Sequence, residues 1–482
     1  MDSPPHGPSG LRHLVSIALL AGGLSFLAGC VADGGPVESS SRPTRPDIVV
    51  VMTDDAGYVD FGFTGAEDGV TPSIDALAAR GVVCTQAYVT ASVCSPSRAG
   101  MLSGRYQQRV GHEFNLNQLK ADREGWGFPP EATLLPERMK PAGYQTAVLR
   151  KWHLGSSEAC HPNANGVDTF VGLLAGSRSY RQTPGAGMSR RLQRNGEPID
   201  EPEDLYLTDF LADEAVAILQ TPRDRPLFMF VSLTAPHTPM HARDPAADLE
   251  RGSRPTFEQR RAVERLMVAA TDEAVGRIEA ALRPGTLVFF LNDNGGAINN
   301  GSDNGPWRGM KGSKWEGGIR VPFIVAWDGV LQPGRRYDLP ISTLDIAATA
   351  IAAAGSAATR EEEPLDGVDL VPYLSGDRDD ARPHEWLFWR RGVASAVRRG
   401  DWKLIRSTSN PDVLIDLAND PGETVNLAAT HPEIVAELAA GLAVWESEMV
   451  PAGTGEGEVY RRNQIIKHRM ETVGREAERR LP

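Results

Sequence analysis

The sequence predicts an α/β sandwich with a mostly parallel central sheet, followed by a smaller antiparallel sheet with a covering helix. Three observations carry this. Apolar strand-like runs alternate with helix-like stretches up to about residue 360, several of those runs end in a carboxylate, amide or basic residue, and beyond 360 short runs separated by turn residues take over.

In the first run, 47–53, Ile48 to Met52 are all apolar and mostly β-branched, as a strand buried on both faces requires, and the run leads into Asp54-Asp55. Thr71-Pro72 opens a helix through Ile74, Leu77 and Ala78 to Gly81, proline being suited to a first helical turn. Residues 82–89, 145–149, 227–233 and 286–292 read as further strands, and 134–142, 206–219 and 257–282 carry helical spacing. In sheets of this kind ligands gather at the carboxyl ends of the strands. Asp54, Asp55, Lys151, His153, Asp293 and Asn294 all follow a predicted strand. One polar residue in that position is ordinarily a turn residue; six on one edge predict a site. After residue 360, runs at 386–389, 394–397, 402–405 and 413–415 predict the antiparallel sheet and 432–449 its covering helix. The tail, 451–482, is charged, with helical character near 461–479 and no visible catalytic role.

At 482 residues and 41% hydrophobic content the chain can bury a large core. Its net charge of −13 excludes nucleic acid as a partner and gives no long-range attraction for anions, so any anion site must be a local cluster of basic groups and metal. Arg12 precedes an apolar stretch, 14–26, too short to span a bilayer but suited to a signal peptide. It ends in Leu27-Ala28-Gly29-Cys30, which resembles the bacterial lipoprotein box. The expected organisation is a signal peptide at 1–29, a tether at 30–46 beginning at a lipidated Cys30, a catalytic domain at 47–360, a C-terminal subdomain at 361–450 and the tail at 451–482. Such a protein is exported and anchored at the bacterial cell envelope, periplasmic or at the cell surface, on a tether reaching roughly 20–25 Å. Cys84 and Cys160 could form a disulfide in an exported chain or stay two buried thiols.

The run Cys94-Ser95-Pro96-Ser97-Arg98 carries the chemistry. A cysteine in an apolar setting is ordinarily an inert buried thiol, but this pentapeptide resembles the sulfatase signature Cys-x-Pro-x-Arg, and its continuation follows the same pattern through Leu102-Ser103-Gly104, with a helix expected from Ser97 onward. Further motifs stand in the family's order: Asp54-Asp55-x-Gly57, Gly143-Tyr144-x-Thr146 with Lys151-Trp152-His153-Leu154-Gly155, Pro236-His237, Asp293-Asn294-Gly295, and Lys311-Gly312 with Glu316-Gly317-Gly318. From Pro46 to about Leu427 the chain is thus similar to the type I, formylglycine-dependent sulfatases, of the arylsulfatase and N-acetylgalactosamine-6-sulfatase kind, in the alkaline phosphatase superfamily.

The resemblance implies an alkaline-phosphatase-like fold and conversion of Cys94 to formylglycine by a formylglycine-generating or anaerobic sulfatase-maturating enzyme. It implies that Asp54, Asp55, Asp293 and Asn294, with the modified Cys94, ligate a hard cation, Ca²⁺ in preference to Mg²⁺ on ligand number. Arg98 would hold the nucleophile, Lys151 and Lys311 would neutralise sulfate oxygens, His237 would protonate the leaving oxygen, and His153 would deprotonate the remaining hydroxyl so that sulfate is expelled. Lys314 lacks the spacing of Lys311 to Glu316-Gly317-Gly318, and His241 lies close to His237 in sequence. Trp126, Arg178, Tyr180 and Trp307 are candidate sugar contacts, and the loops at 172–198, 240–255 and 297–307 would set specificity. The implied activity is hydrolysis of a sulfate monoester on a sulfated carbohydrate. The alternatives are a phosphonate or phosphate ester hydrolase, or a catalytically dead, glycan-binding surface lipoprotein.

Overall fold

A computed structural model of the chain describes residues 45–249, 252–355, 363–378, 381–451 and 457–470. The expected signal peptide, Cys30 with its expected lipidation and most of the expected tether lie outside the described residues, as does the tail from residue 471 onward.

The strand Ile48–Asp54 alternates side chains between two faces. Ile48, Val50 and Met52 enter one apolar core, which also takes in Ala99, Leu102, Leu135, Met139 and Ile346 from covering helices. Val49 and Val51 enter the other, with Leu77, Leu211, Met267 and Val275. The continuous apolar run of the sequence is therefore the signature of a three-layer sandwich, in which both faces of a central strand are covered.

The main sheet has ten strands, in the order Arg335–Tyr337, Val82–Cys84, Phe323–Trp327, Leu287–Asn292, Ile48–Asp54, Leu227–Pro236, Gln145–Lys151, Thr169–Leu173, Gln193–Arg194 and Glu197–Pro198. The five from Leu287–Asn292 to Thr169–Leu173 run parallel. Their carboxyl ends consequently share one edge.

Several sequence expectations are corrected at this level. Residues 82–89 are not one strand: the chain turns at Thr85 and Gln86, and Ala87–Tyr88 pairs in a separate small sheet. The helix expected over 134–142 is confined to Leu135–Met139. The helix expected from Ser97 begins at Cys94 itself; Pro96 is tolerated because the N–H groups of a first turn have no intrahelical acceptor.

The C-terminal region is a four-stranded antiparallel sheet of Trp386–Arg391, Ala394–Arg399, Trp402–Ser407 and Val413–Asp416, covered by the helix Pro432–Ser447. One face packs Leu387, Trp389, Ile405 and Ile415 against Tyr88, Val89, Trp315 and Ile319; the other packs under Leu438, Leu442 and Trp445 of the helix. Burial of each such side chain contributes about 1.5–3 kcal/mol. No helix among the described residues is long and apolar enough to cross a membrane. Cys84, Cys94 and Cys160 are free, buried thiols, so Cys84 and Cys160 are not paired.

Candidate active site

Consecutive residues of a strand point to opposite faces, so two adjacent carboxylates can share a site only if the backbone turns. Asp55 supplies the turn with a φ of 69°, a left-handed conformation that aspartate tolerates better than most residues. Both carboxylates then face the carboxyl edge of the sheet, fully buried. Cys94, the first residue of its helix, brings Sγ to 3.7 Å from Asp54 Oδ1.

Arg98, one turn further along that helix, is buried and binds two carboxylates at once: Nη2 donates to Asp54 Oδ2 at 3.0 Å and to Asp293 Oδ2 at 2.8 Å, with Nε on the same Asp293 oxygen at 3.1 Å. Lys151 ends its strand with Nζ paired to Asp54. Lys311 places Nζ 2.6 Å from Asp55 Oδ1 and 3.1 Å from Cys94 Sγ. Three buried carboxylates thus meet three cations, which offsets the several kcal/mol each charge would cost alone. Burial alone would push the Asp54 carboxyl up, but Lys151, His237 and Arg98 outweigh it and hold it below the usual range. For Asp55, Lys311 and His237 do the same. Burial pushes the Cys94 thiol up to about 12, against the pull of Lys151 and Lys311, so an unmodified Cys94 is a neutral thiol at pH 7 and a poor nucleophile.

His237 stands with Nε2 3.6 Å from Asp55 Oδ2, and its Nδ1 lies 2.6 Å from the carbonyl of Thr238, a contact that assigns the Nδ1 proton and leaves Nε2 facing the site. His153 has a φ of 59° and a buried Nδ1 without a hydrogen-bond partner. Its ring packs on Gly176, where a Cβ would lie 2.5 Å from Nε2. Burial, then Lys151, lowers the affinity of both imidazoles for a proton, so both are neutral near pH 7. Asn294 donates from Nδ2 to Asp55 Oδ1 at 2.9 Å, while its own Oδ1 is buried and accepts nothing.

That unpartnered amide oxygen, beside the carboxylates of Asp54 and Asp55, makes the donor set fit a hard cation. Ligand atoms of Asp54, Asp55, Cys94 and His237 lie within 4.8 Å of one another, which brings His237 into a cluster where the sequence placed only oxygen donors and Cys94. Asp293 stands at its margin: Oδ2 is taken by Arg98, and Oδ1 lies 3.4 Å from the backbone N–H of Asp55.

The structure also identifies residues that sequence reasoning passed over. Ser232 accepts from Arg98 Nη1 at 2.5 Å, and the signal for it was a serine following the apolar run Leu227 to Val231 within the strand Leu227–Pro236. Ser95 Oγ lies 2.7 Å from the carbonyl of His153 and 2.7 Å from His112 Nε2, tying the start of the Cys94 helix to the His153 loop. Two of the four candidate sugar contacts, Arg178 and Tyr180, are framework instead. Arg178 is buried in a bidentate pair with Glu201 at 2.6 and 2.7 Å. Tyr180 is 1% exposed and donates to the carbonyl of His237 at 2.8 Å. Trp307 packs under the Arg320 guanidinium at 4.0 Å. Trp307 is only partly buried, and Trp126 is 41% exposed, with Lys120 Nζ 4.0 Å from its ring centroid. Lys314 is buried away from the carboxylates, its backbone N–H donating to His468, and His241 contacts Ser179 rather than the cluster.

A family model described as Sulfatase matches residues 46–356. Steryl-sulfatase of Mus musculus is 29% identical over 555 aligned positions, covering 90% of this chain and 87% of that protein. N-acetylgalactosamine-6-sulfatase of Canis lupus familiaris is 30% identical over 425, covering 82% and 78%. Among solved structures, the crystal structure of Ps i-CgsB in complex with k-i-k-neocarrahexaose superposes with a TM-score of 0.78 at 29% identity, covering 87% of this chain and 97% of that one.

Proposed function

Since this chain belongs to the sulfatase family, we propose that it hydrolyses a sulfate monoester on a sulfated carbohydrate, using a formylglycine derived from Cys94 and a bound Ca²⁺. The enzyme class, sulfuric ester hydrolase, comes with the family. The observation that carries the finer reading is the convergence of Cys94, Arg98, Lys151 and Lys311 on Asp54 and Asp55, with the unpartnered Asn294 oxygen beside them.

Asp54, Asp55, Asp293 and Asn294 would hold the cation, which when bound neutralises sulfate charge and makes a neighbouring hydroxyl acidic. Formylglycine, when formed, supplies the hydrated aldehyde whose hydroxyl is the nucleophile, a role the neutral buried thiol cannot fill. The other groups act in their own right. Arg98 locks Asp54 and Asp293 in one orientation while Ser232 holds its third nitrogen. Lys151 and Lys311 bring two ammonium groups to where a tetrahedral anion would sit, electrostatic preorganisation of the kind worth most in a dry site. His237 Nε2 faces the site and, in the imidazolium form that Asp55 favours, would protonate the departing alcohol oxygen; burial makes that form more acidic and so a stronger donor. His153, neutral and with an unpartnered Nδ1, accepts a proton from the nucleophile's remaining hydroxyl.

A carbohydrate substrate is supported by N-acetylgalactosamine-6-sulfatase among the relatives and by a neighbour solved in complex with k-i-k-neocarrahexaose. Export with lipidation at Cys30, and a maturation enzyme as partner, rest on the leader and on the Cys94 pentapeptide; loss of membrane partitioning in Cys30→Ala tests the first. The decisive experiment is hydrolysis of an aryl sulfate and an aryl phosphonate monoester in parallel, with Ca²⁺, followed by defined sulfated saccharides. Sulfate turnover lost in Cys94→Ala is expected; dominant phosphonate turnover would overturn the reading.

A further inference from the structure

Lys311 lies in a segment of irregular backbone running from Trp307 to the short helix Glu316–Ile319, so its position is set by whatever grips that segment. From the core side, the N–H of Lys311 donates to Gly296 at 3.1 Å and that of Gly312 to the carbonyl of Ser92 at 2.7 Å, tying the lysine to the Asp293-Asn294 loop and to the loop that leads into Cys94. The carbonyls of the same two residues point the other way, and the C-terminal tail takes both. Lys467 Nζ donates to Lys311 O at 3.1 Å, and Gln464 Nε2 to Gly312 O at 2.8 Å.

The grip continues along the segment. The N–H of Lys314 donates to His468 Nε2 at 2.9 Å, the Trp315 indole donates to the carbonyl of Lys467 at 2.8 Å, and Arg308 Nη2 donates to the carbonyls of Arg469 and Met470 at 3.1 and 2.9 Å. His468 can accept only as the tautomer with its proton on Nδ1. That proton is held by Gln464 O at 2.6 Å, and burial keeps the ring neutral by lowering its pKa to about 3. Gly312 has a φ of 89°, and a Cβ there would sit 3.3 Å from Lys467 Nζ and 3.6 Å from Gln464 Nε2, so the two donors close over a position that carries no side chain.

The tail helix Glu458–Lys467 is not held in the way an ordinary surface helix is. Its one buried residue is Gln464, followed just past its end by His468, while Val459 and Tyr460 are 70% and 62% exposed. A helix docked for stability buries its apolar face; here Ile465 and Ile466 are only partly buried, and the hydrogen bonds to the body come from the polar groups that reach the Lys311 segment.

We propose that the C-terminal helix is a working part of the active site, in which Gln464, Lys467 and His468 are positioning residues that fix Lys311 against Asp55 and Cys94. The proposal rests on Lys311 being a sulfate-binding cation. Misplacing such a group by an ångström costs on the order of 10–100-fold in rate, so the tail governs turnover without touching substrate.

The test uses the full-length chain with Gln464→Leu, Lys467→Met, Lys467→Arg and, as an exposed control on the same helix, Tyr460→Ser. Hydrogen exchange over residues 308–316 and kinetics on an aryl sulfate are measured for each. Gln464→Leu and Lys467→Met are expected to exchange faster across 308–316 and to lose on the order of 10–100-fold in kcat/KM, with Lys467→Arg restoring turnover and Tyr460→Ser matching wild type. Unchanged exchange in that segment, or faster exchange with undiminished turnover, overturns the proposal. Absence of any wild-type sulfatase activity would indict the proposed function instead, while the exchange data would still decide whether the tail grips the loop.

Discussion

Two clusters of buried charge are linked by the same short segment, Lys311 entering one and Glu316 the other, and they are finished differently. Around Glu316 every oxygen has a donor. Lys403 bridges Glu316 Oε1 and Glu423 Oε1 at 2.8 and 2.9 Å, the Tyr88 hydroxyl donates to Glu316 Oε2 at 2.6 Å, and the backbone N–H of Glu316 donates to Glu423 Oε2 at 2.6 Å. Burial raises both carboxyls, but Lys403 and Arg320 pull Glu316 down and leave Glu423 up. Around Asp54 and Asp55 the charges balance, yet the Asn294 oxygen and His153 Nδ1 are left without partners. The closed cluster joins the C-terminal sheet to the main body and has nothing left to bind. The open one has a carbonyl oxygen and an imidazole nitrogen still free beside its carboxylates, the polarity a ligand needs.

The largest effect should come from the open cluster: Cys94→Ala is expected to lower sulfate-ester turnover by on the order of 10³-fold or more while leaving the melting temperature near wild type, checked by initial rates and calorimetry. In the closed cluster the signs reverse. Lys403→Met strands two carboxylates in the interior and is expected to cost about 3–5 kcal/mol in denaturant unfolding, while the fraction that remains folded keeps its kcat. Next, Asn294→Ala should cost about 1 kcal/mol of stability without metal, since only its Nδ2 bonds are lost. The rise in melting temperature on adding Ca²⁺ should shrink or vanish; an undiminished rise would remove Asn294 from the ligand set.

The smallest effect concerns His384, whose Nε2 lies 2.8 Å from the buried Asp345 Oδ1. Burial would lower its pKa, but Asp345 outweighs burial and raises it. A histidine raised in the folded state contributes stability that is fully present below its unfolded value of about 6.5 and is lost as pH climbs through the folded value. The melting temperature of His384→Gln should therefore fall furthest below wild type near pH 6, with the gap closing toward alkaline pH; a gap constant with pH would deny the ion pair.

The sandwich and its polar edge were legible because a strand covered on both faces must be apolar throughout, and residues that interrupt such a run at its end are conspicuous. Asp54, Asp55, Asp293 and Asn294 were visible for that reason. What the sequence hid is decided by partners distant along the chain. Residues 82–89 look like one strand, but Val82–Cys84 finds Phe323–Trp327 while Ala87–Tyr88 finds Arg320–Val321. Arg178 and Tyr180 looked available to a sugar because nothing local says that Glu201 and the His237 carbonyl claim them. The tail looked idle because its helix has little apolar periodicity; its buried contacts are hydrogen bonds to carbonyls more than a hundred residues away, which no pattern in the tail records.

Cys94 is 1% exposed, sealed at the head of its helix beneath the loops that carry Lys311 and His153. The maturation enzyme proposed above could not reach that sulfur in the folded chain. Yet the five residues from Cys94 to Arg98 are contiguous and can be read from an extended chain, whereas every other part of the site exists only after folding. For the conversion of Cys94 proposed above, this would set a timetable: alteration of the sulfur would have to win a race against the collapse of the sandwich, so slower folding would raise the active fraction, and a chain allowed to fold first would be well formed and idle.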